Sequence, residues 1–442
     1  MRASIRQSSS AATRRWIRRR RRAATAVGVT AALLAMGACR DITTLRQEDP
    51  SQLSAGTLFV PANATLLVNG AIGDFQCAYL RYIVASGLLD DELIAAIVRT
   101  DNFDFDRRTL PTSGLYGTGD CTSIQIPGVY TPLSVARASA DTILARLDEW
   151  TDDEVPNRTA LIGKAAAYAG YSLVLLGEGM CSAAINVGPE LTPAQLFAEA
   201  ETRFDRAIDA AGAAGDATTL HLAQLGRART RLDLGNPAAA AADAAEVPDG
   251  FLVAVNTDAT DQRRQNLVYV HTVLNAFSSV DPSFRNVTWG GTPDPRVAAT
   301  NTGNLGTNGA EVWFPNKYAT ITSPVPVAKW AEAQLIIAEA DVAAGRAGDA
   351  VTIINELHAR AGIPPYDATG ATDADVLAQI IEERRRELHL EGHRLGDIRR
   401  YGLPLSPPPG APYPSGGTYG DQKCFPLPDV ERIHNPNIGG GG

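Results

Sequence analysis

The chain has 442 residues, of which 45% are hydrophobic and 20% are charged, and this is enough for a sizeable core in one large or two ordinary domains. The formal net charge is −9, and residues 1–38 hold nine arginines and no acid, so removal of that segment would leave a charge of −18. Such an acidic balance argues against binding nucleic acid or anionic lipid surfaces through net charge.

Residues 1–38 are typical of a secretory signal that ends at a lipid-attachment cysteine. An arginine-rich start leads into a small, apolar stretch before Cys39, and this stretch is too short for a good membrane span. In a lipoprotein, Cys39 would become the N-terminus and carry acyl chains, and more than one chain anchors a protein stably. A plain signal peptide or an arginine-rich nuclear segment would also account for part of this pattern. We predict a polar tether over residues 39–61 and a single domain over residues 62–442.

The other four cysteines suit disulfide bonds in an exported protein. None of them belongs to a C-x-x-C pair, so a zinc site is not indicated. Four cysteines allow three pairings, and the sequence does not choose among them. They are Cys77, Cys121, Cys181 and Cys424.

Apolar periodicity predicts a mostly helical chain. Helices are expected over residues 62–86, 129–150, 159–177, 193–212, 221–235, 237–245, 327–345 and 348–362. Two Ala-rich pairs turn at a glycine, Gly235 and Gly345, where a C-cap would reverse the chain. This pattern resembles degenerate tetratricopeptide repeats, within about residues 130–246 and 327–400.

A charged helix is predicted that starts at residue 372 and runs to residue 401. Thr372 and Asp375 form a capping box at its start. Arg384 and Glu391 lie within its apolar stripe, where an unpaired charge would be costly, so they should pair with each other or with other groups. The stripe repeats every seven residues, at Ile381, Leu388 and Leu395.

This predicted helix resembles the signature of the SusD/RagB family of outer-membrane nutrient-uptake lipoproteins. The family pattern is approximately E-R-x-x-E-L-x-x-E-G-x-R-x-x-D-[LI]-x-R. Its letters fall here on Glu383, Arg384, Glu387, Leu388, Glu391, Gly392, Arg394, Asp397, Ile398 and Arg400. The segments KWAEAQLIIAEADVAAG and CFPLPDVERIHNPNI are also similar to family segments. The resemblance implies a SusD-like fold, mostly α, in which tetratricopeptide-like helix pairs support long irregular loops.

The same resemblance implies a non-catalytic lipoprotein on the outer membrane, facing the cell exterior and without a cofactor or metal. It would capture a glycan or another oligomeric nutrient and deliver it to a SusC-like TonB-dependent transporter. Aromatic residues make up only 6% of the chain, so a peptide ligand stays open. A repeat-like scaffold for envelope assembly and a glycan-active enzyme are two further functions that the sequence allows.

Ligand contacts are expected in two long loops, over about residues 99–128 and 249–324, because loops on a rigid body often carry function. Aromatic faces suit the C–H surface of a sugar ring, and polar side chains suit its hydroxyls. The candidates are Asn102, Phe103, Tyr116, Arg285, Trp289 and Trp313. Trp289 or Trp313 could instead pack a loop onto the helices.

The charged residues of the signature are expected to be structural, because acids within the same helix neutralise its arginines. We expect a buried network that fastens the Pro-rich tail to the repeat-like helices, formed by Arg384, Glu391, His393, Arg394 and Asp397. His389 and His393 have the spacing of a zinc-protease motif, but Leu390 stands where that motif needs glutamate.

Overall fold

Helices run through most of the chain that the structure describes, in agreement with the apolar periodicity. The structure is a computed structural model and describes residues 55–122, 124–125 and 127–438. It divides the chain into two units, Met1–Leu58 and Phe59–Gly442. In the first unit, Ala55–Leu58 forms a helical turn, α1. The predicted signal and Cys39 lie outside the described residues.

The second unit holds the remaining helices. These are Ala64–Leu89 (α2), Thr100–Asp106 (α3), Leu115–Thr118 (α4), Tyr130–Glu149 (α5), Arg158–Gly179 (α6), Pro193–Ala214 (α7), Ala217–Asp233 (α8), Pro237–Ala244 (α9), Leu267–Tyr269 (α10), Trp330–Ala343 (α11), Ala347–Ala361 (α12), Asp373–Glu387 (α13), Arg394–Arg400 (α14) and Asp429–Arg432 (α15). Single turns of 3₁₀ helix lie at Pro61–Asn63, Pro282–Phe284 and Pro295–Val297, and a π-helical turn at Val270–Leu274.

Successive helices α5 to α9 pack side by side, and α9 continues the row onto α11 and α12. Gly226 on α8 allows one of these close approaches, because a Cβ there would lie 2.4 Å from the ring of Phe204 on α7. Helix α6 is long and apolar enough to cross a membrane by length and composition, but most of it is buried by its neighbours. The fold class predicted from the sequence, mostly α with tetratricopeptide-like pairs, is confirmed.

Short antiparallel strands replace much of the predicted irregular loop over residues 249–324. The pairs are β1 (Leu93–Ala95) with β5 (Ser278–Val280), β2 (Ala183–Ala184) with β3 (Glu190–Leu191), β4 (Leu252–Ala254) with β10 (Pro326–Lys329), β6 (Thr288–Trp289) with β7 (Thr292–Pro293), and β8 (Ala299–Leu305) with β9 (Glu311–Pro315). The β1–β5 pair brings the end of α2 beside the β8–β9 hairpin.

The four cysteines form two disulfide bonds, which resolves the pairing that the sequence left open. Cys77 on α2 pairs with Cys121, and Cys181 after α6 pairs with Cys424 near the end of the chain. The second bond closes a separation of 243 residues and holds the terminal segment against the core. The expectation of disulfide bonds is therefore confirmed.

The continuous helix predicted over residues 372–401 is wrong, because the chain leaves the helix between Glu387 and Arg394. Leu390 and Gly392 adopt positive φ angles of 56° and 73° in this break. Side chains from elsewhere satisfy the freed backbone groups. Tyr79 donates to the Glu391 carbonyl at 2.8 Å, and the Leu390 amide donates to a distant glutamate, Glu92, at 2.7 Å. These tertiary bonds override the helical periodicity.

Replacement of Gly392 by alanine should lower the free energy of unfolding by about 2 kcal/mol, because a left-handed alanine is strained and its Cβ would crowd a neighbour. That Cβ would lie 3.2 Å from both Ile83 and Tyr82. Gly370 is the matched control, since it has a φ of 78° and nothing within 4 Å of a Cβ. Gly370→Ala should cost only about 1 kcal/mol. Equal losses in denaturant titrations of the two variants would contradict the role of the contact.

Candidate ligand-binding site

A cavity of about 540 Å³ opens among the strands and loops, and all of its lining residues come from outside the repeat-like helices α5–α9, α11 and α12. Three parts of the chain build it: the β1–α3 region, the region from β5 to β9, and residues 406–419. The lining residues are Ile94, Ala95, Asp106, Asp281, Pro282, Ser283, Arg285, Asn308, Gly309, Ala310, Glu311, Ser406, Pro407, Pro412, Tyr413, Pro414, Ser415 and Tyr419.

Asp106 ends helix α3 and is held by two donors on one oxygen. Its Oδ2 accepts from the Ala95 amide at 2.8 Å and from the Tyr413 hydroxyl at 3.0 Å. Its other oxygen has no hydrogen-bond partner within the described residues. The side chain belongs to a residue that is 7% exposed, and burial raises the pKa of Asp106 to about 7. One carboxyl oxygen is therefore left for a ligand.

Asp281 brings a second buried carboxyl group to the cavity. It caps the 3₁₀ turn Pro282–Phe284, and its Oδ1 accepts from the Ser283 amide at 2.7 Å. The residue is 7% exposed, like Asp106. Burial raises the pKa of Asp281, and the charge of Asp281 adds to the rise in the pKa of Asp106. The charge of Asp281 thus disfavours the ionisation of Asp106.

Arg285 lines the same cavity, and two of its three nitrogens have partners. Its Nε donates to the Val280 carbonyl at 3.0 Å, and its Nη1 lies 3.0 Å from Oε2 of Glu311. The guanidinium also stacks over the ring of Trp313, 5.4 Å from the centroid. Glu311 therefore pairs with one side of the guanidinium, whereas the buried Nη2 has no hydrogen-bond partner among the described residues.

Two tyrosines from the Pro/Gly-rich tail complete the wall. The rings of Tyr413 and Tyr419 meet edge to face, with centroids 5.1 Å apart. Phe103 packs against Tyr413 at 5.6 Å, and the guanidinium of Arg108 lies over Tyr419 at 4.8 Å. Arg108 also donates to the Ser406 carbonyl at 3.2 Å, which fixes the tail beside α3.

One of the six predicted ligand contacts, Arg285, lines this cavity. Two more contact its lining residues, because Phe103 packs against Tyr413 and Trp313 lies against Arg285. Trp313 also donates from Nε1 to Oε2 of Glu311 at 3.2 Å. These three residues come from distant parts of the sequence and share one region of the fold.

The other three predicted contacts lie elsewhere. Asn102 is 2% exposed, and Tyr116 is fully buried, with its hydroxyl donating to the Pro426 carbonyl at 2.9 Å. Trp289 lies in the β6–β7 hairpin, with its ring edge-on to His358 at 5.0 Å. None of the three lines the cavity.

The two buried aspartates and the two tyrosines of the cavity were not among the predicted contacts. They are Asp106, Asp281, Tyr413 and Tyr419. A signal was present for the tyrosines, because aromatic residues inside a Pro/Gly/Ser-rich segment are unusual for a plain linker. No local signal marks the two aspartates, since each ends or caps a short helical turn as many surface aspartates do.

The predicted polar network forms around the helix break, and each member has its own partner. Arg384 Nε lies 2.9 Å from Asp397 Oδ2, so the pair spans the break. Arg394 pairs with Asp91 at the α2–β1 junction, at 2.6 Å. Asp397 lies in the field of two arginines, and although burial opposes its ionisation, their charges hold its pKa below the ordinary value.

Glu391 pairs with two lysines from the segment before α11. Its Oε1 lies 2.6 Å from Lys317 Nζ and 2.9 Å from Lys329 Nζ. Glu391 is 1% exposed. Arg384 and Glu391 therefore pair with other groups, and the Pro-rich tail contributes none of these ion-pair partners.

The two histidines of the signature lie in separate surroundings. His389 stacks on Phe284 at 4.2 Å and contacts Glu92 through Nδ1 at 3.2 Å. His393 is 4% exposed and lies beside Arg229, which is 3.4 Å from its Nε2. Burial, followed by the charge of Arg229, lowers the pKa of His393 well below its ordinary value. This histidine is part of a buried polar cluster.

Comparison with known proteins agrees with these features. Residues 255–434 match the model of the SusD family. The fold is similar to a SusD-like carbohydrate binding protein from Bacteroides vulgatus ATCC 8482, with 16% identity, 86% of this chain and 97% of that chain covered, and a TM-score of 0.61. A putative sugar binding protein from the same organism is 17% identical, with 86% of this chain and 97% of that chain covered and a TM-score of 0.67.

A SusD superfamily protein from Bacteroides fragilis has 15% identity, covers 86% of this chain and 99% of its own, and gives a TM-score of 0.64. Among curated proteins, none matches the sequence. The segment that matches the SusD family model is less than half of the chain, and the described fold is similar to SusD-like structures over most of the chain. Both findings agree with the resemblance that the signature residues carry.

Proposed function

We propose that this protein binds a glycan in the cavity between Asp281 and Tyr413 without transforming it. The observation that carries the proposal is the meeting of tyrosine rings and open carboxyl oxygens in one cavity of about 540 Å³. A sugar ring offers a C–H face to an aromatic ring and hydroxyls to polar groups, so these wall groups suit a saccharide. Two comparisons support the proposal. Residues 255–434 match the SusD family model, and a protein of similar fold is named a carbohydrate binding protein.

Calorimetric titration with a panel of oligosaccharides tests the binding site. Tyr413→Ala should weaken binding at least about tenfold, because it removes a ring face and the hydroxyl that positions Asp106. Trp289→Ala is the matched aromatic control, since Trp289 lies in another region of the fold. If Trp289→Ala weakened binding and Tyr413→Ala did not, the ligand would lie at the β6–β7 hairpin.

The proposed cellular role is a lipoprotein of the outer membrane that faces the exterior and passes its glycan to a SusC-like TonB-dependent transporter. Two features support this role: the signal-like sequence before Cys39, and the match of residues 255–434 to the SusD family model. Protease treatment of intact cells should degrade the protein, and Cys39→Ser should release it from the membrane. Survival of the protein in intact cells would favour a periplasm-facing scaffold instead.

A glycan-active enzyme is the second candidate, because two carboxyl groups share the cavity. The raised pKa of Asp106, about 7, would suit a general acid. Prolonged incubation with the oligosaccharides that bind should nevertheless return them unchanged. Product formation that is abolished by Asp106→Asn would replace the binding proposal with a catalytic one.

A further inference from the structure

We propose that the cavity selects glycans that carry a protonated amino group over neutral glycans of the same backbone. This inference rests on the proposed function, because it assigns the class of saccharide that the same cavity takes. It follows from the acidic side chains that line the cavity, whose charges the chain offsets only in part.

Two buried carboxyl groups bring acceptors to the cavity. Asp106 and Asp281 are each 7% exposed, and both line the cavity. Asp106 accepts from the Ala95 amide and the Tyr413 hydroxyl on one oxygen, and its other oxygen has no hydrogen-bond partner within the described residues. Asp281 accepts from the amide and the hydroxyl of Ser283. An open acceptor of Asp106 and a second buried carboxyl group therefore share one cavity.

Acidic side chains outnumber basic ones at the cavity wall. Among the described residues that line the cavity, Asp106, Asp281 and Glu311 are acids, and Arg285, which Glu311 binds at 3.0 Å, is the one basic side chain. The charge of Arg285 acts on Asp281 and that of Arg108 acts on Asp106, so the chain offsets the two carboxyl groups only in part. Arg108, behind the wall, donates its hydrogen bonds to the carbonyl groups of residues 406 and 407.

A protonated amino group is the ligand group that matches these acceptors. An ammonium group has three donors and a positive charge, so it can bind a free carboxylate oxygen with a charge-assisted hydrogen bond. A hydroxyl group can donate to the same oxygen but leaves the negative charge in place. A carboxylate or sulfate group would be repelled.

Three hexasaccharides with the same β-1,4-linked glucose backbone provide the test, because they differ only at carbon 2. They are the glucosamine hexamer, the N-acetylglucosamine hexamer and cellohexaose. At pH 7 the glucosamine hexamer should bind at least about tenfold more tightly than either neutral hexamer. Hexalysine should bind more weakly than the glucosamine hexamer, since it carries the charge without the sugar.

Asp281→Asn is the principal variant, because asparagine keeps an oxygen that can cap the 3₁₀ turn. This variant should bring the preference for the glucosamine hexamer close to one, because the ammonium group loses a counter-charge that neither neutral hexamer uses. Asp349→Asn is the matched control, since Asp349 lies on α12 with its side chain 68% exposed. It removes the same net charge and should leave the preference unchanged.

The outcomes separate the inference from the proposed function. Three results would each overturn the preference for amino sugars. The neutral hexamers could bind as tightly as the glucosamine hexamer or more tightly, hexalysine could bind more tightly than it, or Asp349→Asn could lose the preference as fully as Asp281→Asn. So would the absence of any binding by the glucosamine hexamer. The proposed function fails separately, if no saccharide of the wider panel binds, neutral or charged.

Discussion

Replacement of Glu391 by alanine is expected to lower the free energy of unfolding by about 4 kcal/mol, because it leaves two half-buried lysines without their shared, buried counter-ion. Lys329 keeps one further partner, Glu387 at 3.1 Å. Lys317 and Lys329 both lie within 3 Å of the same carboxylate oxygen, at 2.6 Å and 2.9 Å. Burial lowers the pKa of Lys317 even in the presence of Glu391. In the variant, the two ammonium groups would repel each other in the space that the carboxylate vacates.

Denaturant titrations at two pH values measure this effect. A lysine whose pKa is lowered on folding binds fewer protons in the folded state, so stability rises with pH. The free energy of unfolding that Glu391→Ala loses relative to the unsubstituted protein should therefore be smaller at pH 9 than at pH 6. Glu356→Ala is the control, since Glu356 pairs with Arg360 on the surface, and it should cost less than about 0.5 kcal/mol. A loss of the same size in both variants would contradict the buried pairing.

Replacement of Arg384 by alanine is the second large effect, with an expected loss of about 3 kcal/mol. Arg384 is 5% exposed and holds Asp397 across the helix break at 2.9 Å. Asp397 keeps a second partner, Arg400 at 3.0 Å, so the loss should be smaller than that of Glu391→Ala. The affinity for the glycan should stay within about twofold, since none of these residues lines the cavity.

A double-mutant cycle separates the pair from the packing of its long side chains. Arg384→Met, Asp397→Leu and the combined variant should give a coupling free energy of about 2 kcal/mol. A variant at Arg384 that keeps its unfolding midpoint and loses the ligand would instead make the signature a binding site.

The helices and the resemblance to the SusD family could be predicted from the sequence, because both depend on local pattern. Helix α5 is predicted within one residue at each end, and the capping box of Thr372 and Asp375 opens helix α13 as expected. The break after Glu387 could not be predicted in the same way. The apolar spacing runs through Leu388 and Leu395, whereas the donors that hold the break, such as Tyr79, come from the other end of the chain.

The cavity was less accessible to sequence reasoning, because its wall joins segments that are far apart in the chain. Arg285 could be predicted as a ligand contact because it lies in a long loop. Its position near Tyr413 could not be predicted, because that depends on how residues 406–419 fold back beside α3. Asp106 looks like an ordinary acid at the end of a short helical segment. Its burial, which raises its pKa to about 7, exists only in the assembled fold.

The ion pairs of the signature also set the order in which this chain can fold. Arg394 binds Asp91 across 303 residues, and Cys181 bonds to Cys424 across 243. A ribosome makes Asp91 and Cys181 long before their partners, and for most of synthesis the α2–β1 junction has no counter-charge. Chains that end before residue 380 should therefore stay open and sensitive to protease. The early part of the chain must be kept from aggregating until its last sixty or so residues arrive.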